Sequence, residues 1–357
     1  MLYTRRDVGK VALATLPMAK MLGAAKTINS KFGGVQIGAI SYSFNRIVTT
    51  DAAVVIKAMV DIGLGEVELM SNHCEQLAGA PVVPTGGGGA ARRGPGGAPE
   101  AQARGAGAGR EGGAPGQAGG AGRGRGAGGG RAPLTPEQIA EREAAQKKLA
   151  DWRAAATPAT WAAVRKQFND AGIDVALLCY NMQDAMKDDD IEFGFSMAKG
   201  LGAKAISTST TLTMAKRIAP IADKHKMMVG YHGHDQTNDP NQTATLESYD
   251  TLMAYGGYNG INLDIGHFTA ANYDAVAFIQ KHHARITNLH LKDRKKDHGP
   301  GVLWGMGDTP IKQVLQLVKK GKYPFPCNLE WEIAVPEGSD LITEMKKCLK
   351  YCEDALA

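Results

Sequence analysis

Four short segments in the second half of the chain concentrate imidazole, carboxylate and ammonium side chains. They read Tyr-His-Gly-His-Asp over 231–235, Asp-Ile-Gly-His over 264–267, His-Leu-Lys-Asp over 290–293 and Glu-Trp-Glu over 330–332. Each ends or follows a short apolar run of the kind that forms a buried strand. Imidazole and carboxylate donors together suit a borderline divalent ion such as Mn²⁺, Zn²⁺, Fe²⁺ or Co²⁺ better than Ca²⁺. Donors from four strands would leave one or two positions on the ion for a substrate.

These segments can meet only in a fold that gathers strand ends, and the order of apolar and amphipathic runs predicts one. Eight strand-like runs alternate with eight helix-like runs, which is the signature of an α/β fold, the (β/α)8 TIM barrel. The predicted strands cover 35–41, 66–70, 173–180, 204–208, 227–232, 261–265, 286–291 and 327–331. The predicted helices cover 51–62, 158–171, 191–200, 211–225, 246–255, 273–283, 310–319 and 339–357. Active sites of such barrels lie at the C-terminal ends of the strands, where all four segments fall.

A glycine- and arginine-rich stretch over 81–132 interrupts this pattern after the second predicted strand. It has almost no large apolar side chain, so it cannot bury enough surface to offset the entropy of ordering, and we predict a disordered insert. Its seven arginines and two glutamates account for the whole formal net charge of +5. The barrel itself is therefore neutral, and we expect no nucleic-acid partner.

The first 30 residues have the pattern of an export signal. Arg5 and Arg6 precede a short, weakly apolar run over 11–25, as in a bacterial twin-arginine signal. The run is too short to span a bilayer as a stable helix, so we expect no membrane span. An ordinary amphipathic helix is the alternative, because Val8 stands where that signal usually has phenylalanine. The expected organisation is a signal segment over 1–30 and a barrel over 31–357, in a periplasmic or otherwise exported protein.

The same motifs resemble those of the xylose-isomerase-like superfamily of sugar isomerases, epimerases and dehydratases. In chain order, the matching elements are Asp264-x-x-His267, His290-x-Lys292-Asp293, Gly305-x-Gly307-Asp308 and Leu329-Glu330. The resemblance covers nearly all of 35–351 except the insert. It implies that Asp264, His290 and Glu330 bind a divalent ion, which would be Mn²⁺, Zn²⁺, Co²⁺, Fe²⁺ or Mg²⁺. His267 is then expected beside the ion or the substrate.

One position departs from the pattern of the ketose epimerases in that superfamily. They carry a glutamate ligand on the fifth strand, where this chain has His232, which we expect to be the fourth ligand. Their two metal-bound glutamates exchange a proton on opposite faces of the substrate, and here only Glu330 remains to do so. The segment that contains His232 and His234 is similar instead to inosose dehydratases, which eliminate water β to a ketone. The catalytic base is expected to be Glu330, His232 or His234.

Three further side chains each have two interpretations. Lys292 either stabilises a developing oxyanion or pairs with the neighbouring Asp293. Glu68, in the second predicted strand, is expected to point to the barrel mouth, where it binds a sugar hydroxyl or forms an ion pair. Trp304 either stacks on a sugar ring or packs a loop.

These patterns favour an enzyme with a small carbohydrate substrate. An isomerase or epimerase is the first interpretation, and a dehydratase or lyase acting on an inosose or a 3-keto-glycoside is the second. Both reactions begin by removing a proton next to a carbonyl to give an enediolate. An apurinic endonuclease of the same superfamily would need more metal ligands and a basic surface. A sugar-binding barrel without catalytic activity would not need the ligand set.

Overall fold

The computed structural model describes residues 28–48, 51–84 and 134–357. Most of the predicted signal segment (1–30) and most of the predicted insert (81–132) lie outside the described residues.

A closed barrel of eight parallel strands forms the centre of the fold. Strand β1, Lys31–Phe32, pairs antiparallel with the first barrel strand and stands outside the barrel. The barrel strands are β2 Val35–Ile40, β3 Glu66–Met70, β4 Asp174–Cys179, β5 Ala205–Thr208, β6 Met228–His232, β7 Asn259–Asp264, β8 Ile286–Leu291 and β9 Cys327–Leu329. Each pairs in parallel with the next, and β9 pairs with β2 to close the ring. The predicted TIM barrel is confirmed.

Helices connect the strands around the outside of the barrel. Those that the sequence predicted are α1 Ala53–Ile62, α4 Pro158–Asp170, α5 Asp188–Leu201, α6 Leu212–His225, α7 Leu246–Ala254, α9 Ala275–His282, α10 Ile311–Gly321 and α11 Leu341–Leu356. Three others were not predicted, namely α2 Ser71–Leu77, α3 Pro136–Ala155 and α8 Ile265–Ala270. Among the described residues, no helix has both the length and the apolar character that crossing a membrane requires.

Helix α3 escaped prediction because it has no apolar face, and none of its residues is buried. Its start is nevertheless well specified, since Thr135 and Gln138 form a capping box and Pro136 occupies the first turn. Near its end, the Arg153 guanidinium binds both carboxylate oxygens of Glu75 at 2.6 and 2.9 Å. This ion pair attaches α3 to α2, on the side of the barrel where the strands end.

Strand β3 shows how the barrel separates apolar from polar side chains. Val67 and Leu69 are fully buried in the main hydrophobic core, which also contains residues of the surrounding helices. The alternating residues Glu66 and Glu68 contact polar side chains of other barrel strands, so they line the interior. The interior of this barrel is therefore partly polar, and that polar part lies beneath the strand ends.

Candidate active site

Four side chains from four successive strands meet at the C-terminal mouth of the barrel. His232 ends β6, Asp264 ends β7, His290 is the penultimate residue of β8, and Glu330 directly follows β9. One donor atom of each lies within 4.8 Å of the donor atoms of the other three, and all four residues are buried. The structure thus brings together the four residues that were predicted as metal ligands.

The chemistry of this donor set fits a divalent cation. Two imidazoles with two carboxylates suit Mn²⁺, Fe²⁺, Co²⁺ or Zn²⁺. Nδ1 of His232 is buried without a hydrogen-bond partner, as is Oδ2 of Asp264, although the latter forms an ion pair with Lys292. Burial, together with His290 and His234, holds the pKa of His232 well below its ordinary value, so the ring is neutral as a metal ligand must be.

Helix α8 orients Asp264. This short helix begins directly after β7, and Oδ1 of Asp264 caps it by accepting a hydrogen bond from the backbone N–H of His267 at 2.7 Å. The capping bond fixes the carboxylate, so that Oδ2 faces the other candidate ligands, 3.9 Å from Nε2 of His232. The Asp-x-x-His spacing thus has a local structural reason, because the aspartate caps the helix that carries the histidine.

His290 lies between two carboxylates. Its Nε2 is 2.6 Å from Oε2 of Glu68, and its Nδ1 is 2.9 Å from Oε2 of Glu330. Burial alone would lower the pKa of His290, but Glu68 and Glu330 together raise it well above its ordinary value. Each ring nitrogen of His290 therefore lies within hydrogen-bond distance of a carboxylate.

Lys292 places an ammonium group beside the candidate ligands. Its Nζ is 2.9 Å from Oδ2 of Asp264, 3.1 Å from Oε2 of Glu330 and 2.5 Å from Oε2 of Glu332. Burial would disfavour the charged form, but Asp264, Glu330 and Glu332 outweigh it and raise the pKa of Lys292 well above its ordinary value. A fixed positive charge therefore lies at the mouth.

Lys292 does not pair with Asp293, so that alternative is wrong. Asp293 instead anchors the loop that contains the Gly-x-Gly-Asp motif, because its Oδ2 accepts hydrogen bonds from the backbone N–H groups of Gly305 at 2.8 Å and Gly307 at 2.9 Å. A Cβ atom at Gly307 would lie 1.9 Å from Oδ1 of Asp293, so the close approach of this loop requires glycine.

A second polar group lies beside the four candidate ligands. Nδ1 of His267 is 3.1 Å from Oδ1 of Asp235, and Nε2 of His267 is 2.9 Å from Nζ of Lys292. The Arg294 guanidinium holds both carboxylate oxygens of Asp235, at 3.0 and 3.1 Å, and also contacts the His267 ring. The His267 ring is therefore fixed from both sides.

His234 adds an imidazole that is partly exposed. Its ring centroid is 4.8 Å from that of His232 and 5.0 Å from that of His267. Donor atoms of these three histidines also lie within 4.8 Å of one another. Burial, with the positive charge of neighbouring groups such as Lys292, lowers the pKa of His234 to about 3. The ring is therefore neutral at ordinary pH.

Comparison with known families agrees with this geometry. Residues 208–352 match the family model described as xylose isomerase-like TIM barrel, and this range contains all four candidate ligands. The closed barrel of eight parallel strands is the fold that this description names. A search of curated proteins gave no match.

Solved structures share the fold of this barrel. The probable 3-DHS dehydratase AsbF involved in petrobactin synthesis, from Bacillus anthracis, is similar with a TM-score of 0.53 and 13% identity, over 88% of this chain and 98% of that one. A sugar phosphate isomerase/epimerase from Parabacteroides distasonis is similar with a TM-score of 0.51 and 13% identity, over 92% and 97% of the two chains. At such identities the likeness shows the fold alone.

For two of the residues predicted to bind substrate, the structure supports the other of their two interpretations. Glu68 is fully buried and forms an ion pair with His290, whose Nε2 is 2.6 Å from its Oε2, as its ion-pair alternative predicted. Trp304 packs edge to face on Tyr351, with ring centroids 5.5 Å apart, as its loop-packing alternative predicted. Sequence reasoning missed Arg294, although its position directly after the His-x-Lys-Asp segment was an available signal.

The partly buried ion pair of Asp235 with Arg294 gives a test of the electrostatics of the site. Burial opposes ionisation, but His267 and Arg294 hold the pKa of Asp235 well below its ordinary value. The contribution to stability is therefore present above the unfolded-state pKa and is lost as the pH falls through the folded-state pKa. We expect Asp235→Asn to lower the free energy of unfolding by about 1–3 kcal/mol at pH 7, and the deficit to shrink below about pH 4.

Urea unfolding of the wild type and the variant across this pH range measures the difference. Asp170→Asn is the control, because Asp170 pairs with Lys166 on an exposed helix surface and should contribute less than about 1 kcal/mol. Equal losses for the two variants, or a deficit at Asp235 that does not change with pH, would contradict the account.

Proposed function

We propose that the protein is a metal-dependent enzyme that removes a proton next to the carbonyl of a sugar or keto-sugar and returns a proton, as an isomerase or epimerase. One observation carries the proposal: a set of cation ligands, a neutral imidazole and an ammonium group meet at a single barrel mouth. The proposed cofactor is a divalent ion held by His232, Asp264, His290 and Glu330. When bound, it would polarise a substrate carbonyl as a Lewis acid.

Two side chains are suited to accept the proton. Burial would raise the pKa of Glu330, but Lys292 and His290 hold it well below its ordinary value, so the carboxylate is ionised. His234 is neutral and lies outside the set of four ligands, so its ring remains available to a substrate at the mouth. We assign the base to one of these two. A carboxylate that binds an ion through one oxygen keeps its other oxygen free to accept a proton, so Glu330 can be both ligand and base. A neutral histidine that binds an ion through one ring nitrogen carries its hydrogen on the other, so His232 is not assigned as the base.

Lys292 and His267 supply the complementary functions. The Lys292 ammonium, buried and fixed by carboxylates, can stabilise negative charge that develops on a substrate oxygen, and this effect is strongest where water is excluded. His267 is held by Asp235 and Lys292 in one ring orientation, which suits a residue that positions a substrate hydroxyl. Removal and return of the proton would then occur on a substrate whose orientation is fixed.

A dehydratase or lyase acting on an inosose or a 3-keto-glycoside is the second candidate. One observation favours it, namely that the ammonium of Lys292 lies 3.1 Å from Oε2 of Glu330. An ammonium can donate a proton to a departing hydroxyl or alkoxide, which elimination requires and epimerisation does not. Solved structures with this fold carry both kinds of name, so the fold does not choose between the two reactions.

An isotope experiment distinguishes the two candidate reactions. The metal-loaded protein would be incubated with a panel of ketoses, inososes and 3-keto-glycosides in D₂O, and products followed by NMR and mass spectrometry. We expect deuterium at the carbon beside the carbonyl with no other change of formula. Glu330→Gln should slow the reaction by about 10²–10⁴-fold, whereas the exposed control Glu337→Gln should not.

Each outcome of that experiment is informative. Loss of water or of an aglycone would overturn the isomerase proposal in favour of elimination. An absence of metal-dependent exchange with every substrate would contradict both enzymes and leave a sugar-binding barrel.

We also propose that the protein is exported, which would bring it unphosphorylated sugars. The support is sequence alone, because Arg5, Arg6 and the apolar run after them lie outside the described residues. Residues 1–30 fused to a reporter that matures only outside the cytoplasm should give a signal, and the double variant Arg5→Lys, Arg6→Lys should abolish it. A signal that survives the double variant would argue against the twin-arginine route.

A further inference from the structure

We propose that Glu68 is a positioning residue, which holds the imidazole of His290 from beneath so that Nδ1 is presented to the bound ion. The proposal rests on the proposed metal-dependent function and adds a residue from a strand that contributes no ligand. Glu68 belongs to β3, whereas the candidate ligands belong to or follow β6, β7, β8 and β9.

The two ring nitrogens of His290 have different surroundings. Nε2 points into the barrel and is 2.6 Å from Oε2 of Glu68, while Nδ1 points to the mouth and is 2.9 Å from Oε2 of Glu330. A ring that donates Nε2–H to Glu68 can offer only Nδ1 to a cation. Metal-binding histidines commonly donate their other ring N–H to a carboxylate, which fixes the ring and makes it a better ligand.

The carboxylate of Glu68 is itself held in place by three strands. Nδ2 of Asn288 donates to its Oε2 at 2.8 Å, while Nδ2 of Asn262 at 3.3 Å and the Ser207 hydroxyl donate to Oε1. Every one of these side chains is buried. A carboxylate with this many hydrogen-bond donors is held in one orientation. Its contact with Nε2 then fixes the orientation of the His290 ring.

The pairing of the barrel strands is irregular beside two residues that contact His290 or its partner Glu68. The pairing of β3 with β4 shifts register between Val67 and Glu68, and the pairing of β7 with β8 shifts between Ile261 and Asn262. Such bulges redirect the side chain that follows them. Glu68 and Asn262, which directly follow these two irregularities, both belong to the hydrogen-bond group around His290. This placement is independent support for a specific arrangement of the group.

Glu66 provides a matched control for Glu68. It lies two residues earlier on the same strand, is also buried in the barrel interior, and is bound by Asn328 at 2.7 Å rather than by a candidate ligand. Glu66→Gln and Glu68→Gln therefore make the same side-chain replacement two residues apart on one strand. They differ in whether the carboxylate touches His290.

The experiment measures Mn²⁺ and Zn²⁺ affinity of the full chain by competition with a chromogenic chelator. Nitrogen-15 NMR of histidine-labelled protein, before and after Zn²⁺ is added, reports the tautomer of His290. We expect Glu68→Gln to weaken binding by about 10–100-fold and to alter the His290 nitrogen signals. Glu66→Gln should change affinity by less than about threefold, since the Glu66 carboxylate binds Asn328 and does not support a candidate ligand.

A second variant keeps the test valid if the Glu68→Gln protein does not fold. Ser207→Ala removes one donor to Glu68 and leaves the carboxylate in place, so it should weaken binding in the same direction but by only a few-fold. Unchanged affinity and unchanged His290 signals in a folded Glu68→Gln protein would overturn the positioning role while leaving the proposed function intact. Failure of the wild type itself to bind either ion would instead contradict the proposed function.

Discussion

The site depends on the balance of charge inside a closed barrel. Among the described residues, the three buried carboxylates of Glu68, Asp264 and Glu330 lie against two cationic side chains, His290 and Lys292. Groups buried to this extent cannot be compensated by water, so each must find its partner within the protein. Because carboxylates outnumber the cationic groups, the cluster has a natural affinity for a further cation. The proposed divalent ion would supply the positive charge that the side chains lack.

The barrel can hold such a cluster because its strands fix the backbone from which each side chain projects. Asp264 is held by the helix it caps, and His290 by a carboxylate from across the barrel. The ammonium of Lys292 therefore has a fixed position against Asp264 and Glu330, the two acidic candidate ligands. This preorganisation is what transition-state stabilisation requires, since no reorganisation is needed when charge develops on the substrate.

The sequence was sufficient for the barrel strands, because the apolar runs that set them are local patterns. Polar residues at the C-terminal strand ends, together with the resemblance to a known superfamily, indicated His232 and the other candidate ligands. The sequence was not sufficient for contacts made across the barrel. Glu68 and His290 are 222 residues apart, and only the closed ring shows that they touch. Helix α3 was missed for a different reason, since an exposed helix without an apolar face leaves no periodic signal.

Anomalous diffraction from crystals of the Mn²⁺- or Zn²⁺-loaded protein tests the central claim most directly. The account predicts one strong anomalous peak bounded by His232, Asp264, His290 and Glu330, with His290 bound through Nδ1. A peak bounded by His234 and His267 without those carboxylates, or no peak at the barrel mouth, would contradict it.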